Sequence, residues 1–435
     1  MATTDKAAAA VEWKNYWPLV LACSFGFSLS TLVSHSIGLF MGPMEAELGW
    51  TRAEIAYGMV VSSTMAIFLN PVGGAMVDRW GSRSLAIPGI LIAAAMIGSY
   101  GLVQSVTMWV ALWFTFSVVS IGVKLTVWTA AVSNTFHASR GLAVATVIAG
   151  TALTGILAPP ITNYLIDAYG WRHAWMALAG LWGTIAFLLA VFFLKEPRYS
   201  AASKAAVVAD AAAGRAPAAP LPGLTMKEAA RSFPLWMVGA STLLFMIFAG
   251  SMVIHQVPIL IDAGVDRGNA ALLASLAAIA GFFGKVVTGA LMDRFHAAKL
   301  SGITLAFASL GFVLLLEPFR HVVTIVIAML IVGYAGGAKL QVTTYLTGRY
   351  GGLRNFGKIF GLMNSLIAIG GGFGPVVAGY MYDRFDSYSI FLMAGIPSSL
   401  VAGALVFFLG PYPDWSRQDQ PEEKDPPGAA PEPAK

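Results

Sequence analysis

Lys124, Lys285 and Lys339 are cations set inside long apolar runs, and no Asp or Glu lies well within any such run. A lysine at the centre of a membrane helix costs roughly 2.5–3.5 kcal/mol on insertion scales, so an unpaired one normally faces a cavity and marks a functional site. Fixed positive charge without an internal counter-ion is suited to holding an anion. A carboxylate is the natural guest: lysine acts on it as a point charge, and a low-dielectric cavity strengthens the attraction while making a bare ammonium costly. Lys124 and Lys339 are 215 positions apart, the interval that also separates Asp78 from Asp293. Both lysines stand well away from the ends of their runs, too far to snorkel to a membrane surface. Lys285 lies only eight residues before Asp293 and has the snorkelling alternative open to it.

Around these cations, Trp128, Tyr334, Gln341, Thr343 and Asn364 are the side chains placed to shape a substrate pocket. His35 and His255 fall in the outer thirds of the first and seventh runs. With no buried acid available, histidine is the remaining side chain for a gating or proton-linked role near neutral pH. Nothing points to catalysis. The chain has no phosphate-cradling Walker loop, no Cys/His cluster at metal spacing and no paired carboxylates, so the expectation is a non-enzyme with neither cofactor nor metal.

The elements that must position these residues are membrane helices. The 435 residues are 57% hydrophobic and 11% charged, with a mean hydropathy of +0.71. Twelve apolar runs, from Trp17–Met41 to Ile390–Leu409, are long enough to cross a hydrocarbon core of about 30 Å as helices. They divide into six within residues 1–195 and six within 233–412. Between them, residues 196–232 turn Ala/Pro-rich and read as a cytoplasmic linker, with a short interfacial helix near Met226–Arg231. Residues 413–435, rich in Pro and acids, read as a disordered tail. The polar start followed by a long apolar run is unlike a cleavable signal peptide. The single cysteine, Cys23, excludes an internal disulfide.

Placing both termini in the cytoplasm puts nineteen Lys/Arg on the inner side and five on the outer. That asymmetry sets the orientation in a cytoplasmic (inner) membrane. It also explains the net charge of +5 without nucleic-acid binding.

The halves repeat one another. Gly74-Ala-Met-Val-Asp78-Arg79 recurs as Gly289-Ala-Leu-Met-Asp293-Arg294, and Gly122-Val-Lys124-Leu125 as Gly337-Ala-Lys339-Leu340, both at an offset of 215. Gly141, Pro159 and Asp167 recur as Gly357, Pro375 and Asp383 at 216. Parallel six-helix repeats are the architecture of a rocking transporter with its site between the halves.

The loop Gly74-x-x-x-Asp78-Arg79-x-Gly81-x-Arg83, with its degenerate copy, resembles the signature of the major facilitator superfamily. Within it, Gly38-Leu-Phe-Met-Gly-Pro43, Leu48-Gly-Trp-Thr-Arg-Ala-Glu54 and Gly284-Lys285-x-x-x-Gly289 are similar to the monocarboxylate and oxalate–formate transporter branch. The resemblance implies an all-α membrane fold of two pseudo-symmetric six-helix bundles, with helices 1, 4, 7 and 10 around a central cavity. It gives Lys285 the place of a substrate-binding arginine, and Gly281 the place where eukaryotic monocarboxylate carriers tend to have an aspartate. Asp78, Arg79, Arg83, Asp293 and Arg294 become a conformational latch at the inner face.

The expected function is therefore alternating-access transport of small mono- or dicarboxylates across a lipid bilayer, by anion exchange or proton symport, as a monomer. Two other readings stay open: a multidrug or neutral-solute facilitator on the same fold, and a non-transporting metabolite sensor.

Overall fold

The computed structural model describes residues 2–194, 222–413 and 415. Most of the expected 196–232 linker and 413–435 tail lies outside the described residues. Among the described residues the chain is helix and turn, with one isolated bridge between Gly223 and Gly352. Eleven continuous apolar stretches are long enough to cross a membrane, and the longest, Arg140–Phe193, is two helices meeting at Gly170. Gly170 has φ 74° and ψ 159°, a conformation essentially reserved for glycine. Twelve membrane helices result among the described residues.

These are α1 (Ala8–Leu48), α2 (Arg52–Trp80), α3 (Ser82–Ser99), α4 (Val106–Ser133), α5 (140–169), α6 (171–193), α7 (Phe233–Asp262), α8 (Arg267–Met292), α9 (Ala297–Leu314), α10 (Val322–Gly351), α11 (Phe356–Phe385) and α12 (Ser389–Phe407). The ends carry local stop and start signals. α1 closes on Gly49 in the left-handed region, and Thr51 with Glu54 forms a reciprocal capping box that starts α2. In the linker, Thr225 and Glu228 form a second capping box on the four-residue helix Met226–Ala229. Trp415, within the expected tail, is tied to the bundle by an Nε1 bond to Arg349 O at 3.0 Å.

Two helices are interrupted near their middles. α1 breaks at Ser30–Thr31, where the hydroxyls of Ser28, Ser30 and Thr31 bond to backbone carbonyls three residues back. α4 tightens into a 3₁₀ turn at Ser120–Val123 and restarts at Leu125, with Lys124 at φ −73° and ψ 160° as its cap.

Equivalent helices pack in equivalent ways in the two halves. α1 lies on α5 as α7 lies on α11, α2 on α4 as α8 on α10, and α3 on α6 as α9 on α12. Between the halves, α2 meets α11 and α5 meets α8, again as symmetry mates. Small residues make these approaches possible, as in membrane bundles generally. Gly281 and Gly337 bring the backbones of α8 and α10 into contact, and Gly284 rests on Tyr334 O.

Candidate functional site

Among the described residues, most of the hydrogen bonds and ion pairs that join the two halves lie towards the face opposite the chain termini, here called the far face. There Asp383 of α11 accepts from the backbone N–H groups of Arg52 and Ala53, both at 3.0 Å, and so caps α2 of the other half. A carboxylate at a helix N-terminus is favoured by the orphan N–H groups and the macrodipole. Arg52 is ion-paired with Glu45 at 2.7 Å and lies 3.5 Å over the Tyr382 ring. On the symmetry-related seam, Arg267 of α8 pairs with Asp167 of α5 and donates to Asn163 at 2.8 Å. Deeper in, Ser275 donates to Ile156 O at 2.7 Å.

Below this seal lies a cavity of about 190 Å³, room for several waters. α1, α5, α7, α8 and α10 line it. α5 and α8 thus contribute where the family resemblance put α4. Its polar groups converge from four of those helices: His35 (α1), Thr151 (α5), Gln256 (α7) and Lys285 (α8). Lys285 donates to Thr151 Oγ1 at 3.2 Å, reaching from one half to the other. It lines the same cavity as His35. His35 Nδ1 lies 3.0 Å from Thr31 O, which can only accept. The neutral ring therefore carries its proton on Nδ1 and leaves Nε2 as an acceptor. The Gln256 amide, 9% exposed, makes no hydrogen bond among the described residues. Met252, Val253, Phe282 and several alanines form the apolar remainder.

The other expected site residues are placed elsewhere. Lys339 is 1% exposed, donates to Ser241 Oγ at 3.3 Å and lies 5.9 Å from the Phe245 ring centroid. It thereby joins α10 to α7 within one half. Lys124 is half-buried at the restart of α4, with no ion pair or hydrogen bond from its ammonium among the described residues. Trp128 is fully buried on Gly26 of α1 and bonded to Val123 O at 3.0 Å. The Tyr334 hydroxyl accepts from Thr288 at 3.0 Å, while Gln341 and Asn364 are exposed. Thr343 is buried, bonded to Lys339 O at 3.0 Å. His255 is fully buried in its own half, donating from Nε2 to Pro375 O at 2.8 Å and accepting at Nδ1 from the Tyr388 hydroxyl at 2.7 Å. So His35 and Lys285 share the cavity, and the remaining expected residues do not line it.

At the near face, Arg83 donates to Leu194 O and Val191 O at 2.5 and 3.0 Å, closing the C-terminus of α6 within its own half. Arg79 is exposed, 5.7 Å from the Trp80 ring centroid, and Asp293 and Arg294 are exposed at the end of α8. The Asp78 side chain lies outside the described residues.

Sequence reasoning passed over Thr151 and Gln256. A threonine in a helix usually bonds its own backbone, so Thr151 carried no signal. Gln256 did: an amide beside His255 in an apolar run needs a partner or a cavity.

The Major Facilitator Superfamily model matches residues 23–338 and again 252–434. The chain belongs to that superfamily. Monocarboxylate transporter 13 of Bos taurus is 26% identical over 407 residues, covering 91% of this chain and 89% of that protein. A probable sulfoacetate transporter of Cupriavidus necator is 25% identical over 404 residues, covering 87% and 89%. A bacterial homologue of the human lysosomal transporter Spinster, solved inward-facing and occupied, superposes with a TM-score of 0.68 at 16% identity, covering 90% of this chain and 96% of that one. That likeness concerns the fold alone. This member of the superfamily thus falls with its monocarboxylate-transporter-like branch.

Proposed function

We propose that this protein is a secondary transporter of small organic anions, monocarboxylates foremost, with Lys285 as the carboxylate anchor. The observation that carries the reading is a single cation in a cavity that lies between the halves and contains no acid. One ammonium matches one carboxylate, which favours a monocarboxylate over a dicarboxylate. The names of the relatives, monocarboxylate and sulfoacetate transporters, agree with an organic acid as cargo.

The Lys285–Thr151 bond is the one the substrate exchanges with. A carboxylate taking the ammonium from Thr151 can accept in turn from Thr151 and Gln256, and so contact both halves at once. A proton on His35 Nε2 would add a further donor. An ammonium and an imidazolium side by side repel, and a carboxylate between them removes that cost. Proton symport through His35 is therefore the favoured coupling, with anion exchange the alternative. Lys124 and Lys339, unopposed by any membrane acid, keep the region between the halves attractive to anions.

With the termini cytoplasmic in an inner membrane, as the Lys/Arg asymmetry favours, the sealed far face is outer and this state is inward-open. The bundle of residues 1–195 would rock against that of 233–412, working as a monomer, with Asp78, Arg79, Arg83, Asp293 and Arg294 engaging when the inner face closes.

Uptake of labelled lactate into proteoliposomes tests the anchor. A hydrogen bond to a charged group is worth about 1.5–3 kcal/mol, so Lys285→Ala is expected to weaken lactate by roughly tenfold or more, with Lys285→Arg partly active. Saturable uptake unchanged in Lys285→Ala would remove the anchor assignment. An inward proton gradient that leaves wild-type uptake unaltered would decide for exchange.

A further inference from the structure

Resting on the carboxylate reading above, we propose that the cargo is a monocarboxylate with an apolar tail, and that a groove behind Phe282 and Ala152 is the subsite for that tail.

The cavity and a second, larger hollow share two wall residues. Ala152 and Phe282 line the cavity that holds Lys285, and both also line a groove of about 440 Å³ between α1, α5 and α8. Each shared residue adjoins a polar anchor. Phe282 stands three residues before Lys285, on the same helix face, and Ala152 follows Thr151. A carboxylate held by Lys285 and Thr151 therefore has this partition within reach of its substituent.

Beyond the partition the groove is apolar, with Trp17, Leu21, Leu153 and Ile156 among its walls. Its hydroxyl groups are already committed: Ser24 donates to Val20 O at 2.8 Å and Thr146 to Leu142 O at 2.9 Å. No charged side chain lines it, and its one buried donor without a partner among the described residues is the indole N–H of Trp13. A hydrocarbon chain or an aryl ring, which gains by leaving water, therefore suits it better than a charged head. Phe282, 36% exposed, is the larger of the two side chains in the partition, and rotation of its ring would join the two hollows. The two hollows together thus form an amphipathic site, one polar end and one apolar end.

The test is a chain-length series. Propanoate, butanoate, hexanoate and phenylacetate compete with labelled lactate for the wild-type protein in proteoliposomes. Each methylene entering the groove is expected to tighten apparent affinity about fourfold. Ala149 lines the groove and not the cavity. Ala149→Phe is expected to abolish the gain with length and leave propanoate as before, while Phe282→Ala shifts the optimum towards bulkier acids. A flat wild-type series, or a slope that survives Ala149→Phe, overturns the subsite and leaves the groove to lipid chains. If propanoate and lactate fail to bind at all, the carboxylate reading falls and the subsite with it.

Discussion

Within one helix, α11, glycines in the two halves of its length meet opposite surroundings. In the far half, a side chain at Gly379 would come within 2.6 Å of Ala53 N and 2.8 Å of Arg52 C, and one at Gly372 would strike Ser63 and lie 3.1 Å from Met59 O. These are α2 atoms, across the seam. In the near half, Gly357 and Gly361 have nothing within 4 Å of an added Cβ. The far half of α11 is thus fitted against α2, whereas Gly357 and Gly361 in its near half face open space. Closure of the far face combines this backbone contact with the charged caps. Interfaces packed this tightly switch between discrete arrangements and do not deform smoothly, which is what a rocking mechanism requires.

The contact that separates the two regions most sharply is Gly379 against α2. In Gly379→Leu the far face is expected to lose its closed state altogether. Spin labels at Glu54 and Arg384, at the far ends of α2 and α11, would report a longer distance, and uptake would stop. Folding is a separate matter, checked by monodispersity in detergent. A folded Gly379→Leu protein with the wild-type distance would show that the seam tolerates a side chain.

Asp383→Asn tests the charged cap without touching the packing. It removes the charge from two backbone bonds at 3.0 Å, to Arg52 and Ala53. A bond to a charged group contributes about 1.5–3 kcal/mol, so a partial loss should raise the far-open population by up to about tenfold to a hundredfold. The expected readout is a second, longer distance peak beside the first. A single unshifted peak would mean that packing alone closes this face.

How much of this was written in the sequence depends on what each signal measures. Helix number and duplication were legible, because hydropathy over some twenty residues and a repeat offset are chain-wide properties; the paired Asp-Arg turns and the lysines 215 apart marked it. The rotation of a side chain about its helix axis was not. Lys339 and Lys124 looked equivalent by register, yet Lys339 points at Ser241 inside its own half while Lys124 caps a broken helix. That break lies at a close crossing, where Gly122 packs on the backbone of Leu85 and Gly89 in α3, and no periodicity announces it. Spacing alone leaves Lys285 free to snorkel, whereas its partner is Thr151, a residue 134 positions away on the other half. Cross-half partners are invisible to spacing within a run. Gly281 is instructive in the other direction. Where eukaryotic carriers tend to have aspartate, a Cβ here would lie 3.1 Å from Gly333 O, so the α8–α10 contact itself disfavours a larger residue.

The smallest effect belongs to the free end of the comparison. Gly361→Ala places a methyl group where no atom lies within 4 Å. In water such a change in a helix interior favours the helix by about 0.8–1.0 kcal/mol, since glycine gives up more backbone entropy on folding. The label distance at the far face should therefore match wild type, with thermal stability equal or slightly raised. Uptake is the informative quantity. The near half of α11 must meet another surface when the inner face closes, so a slower turnover at an unchanged far-face distance would locate Gly361 in the contact made by the opposite state. A change in the far-face distance itself would be inconsistent with Gly361 facing open space.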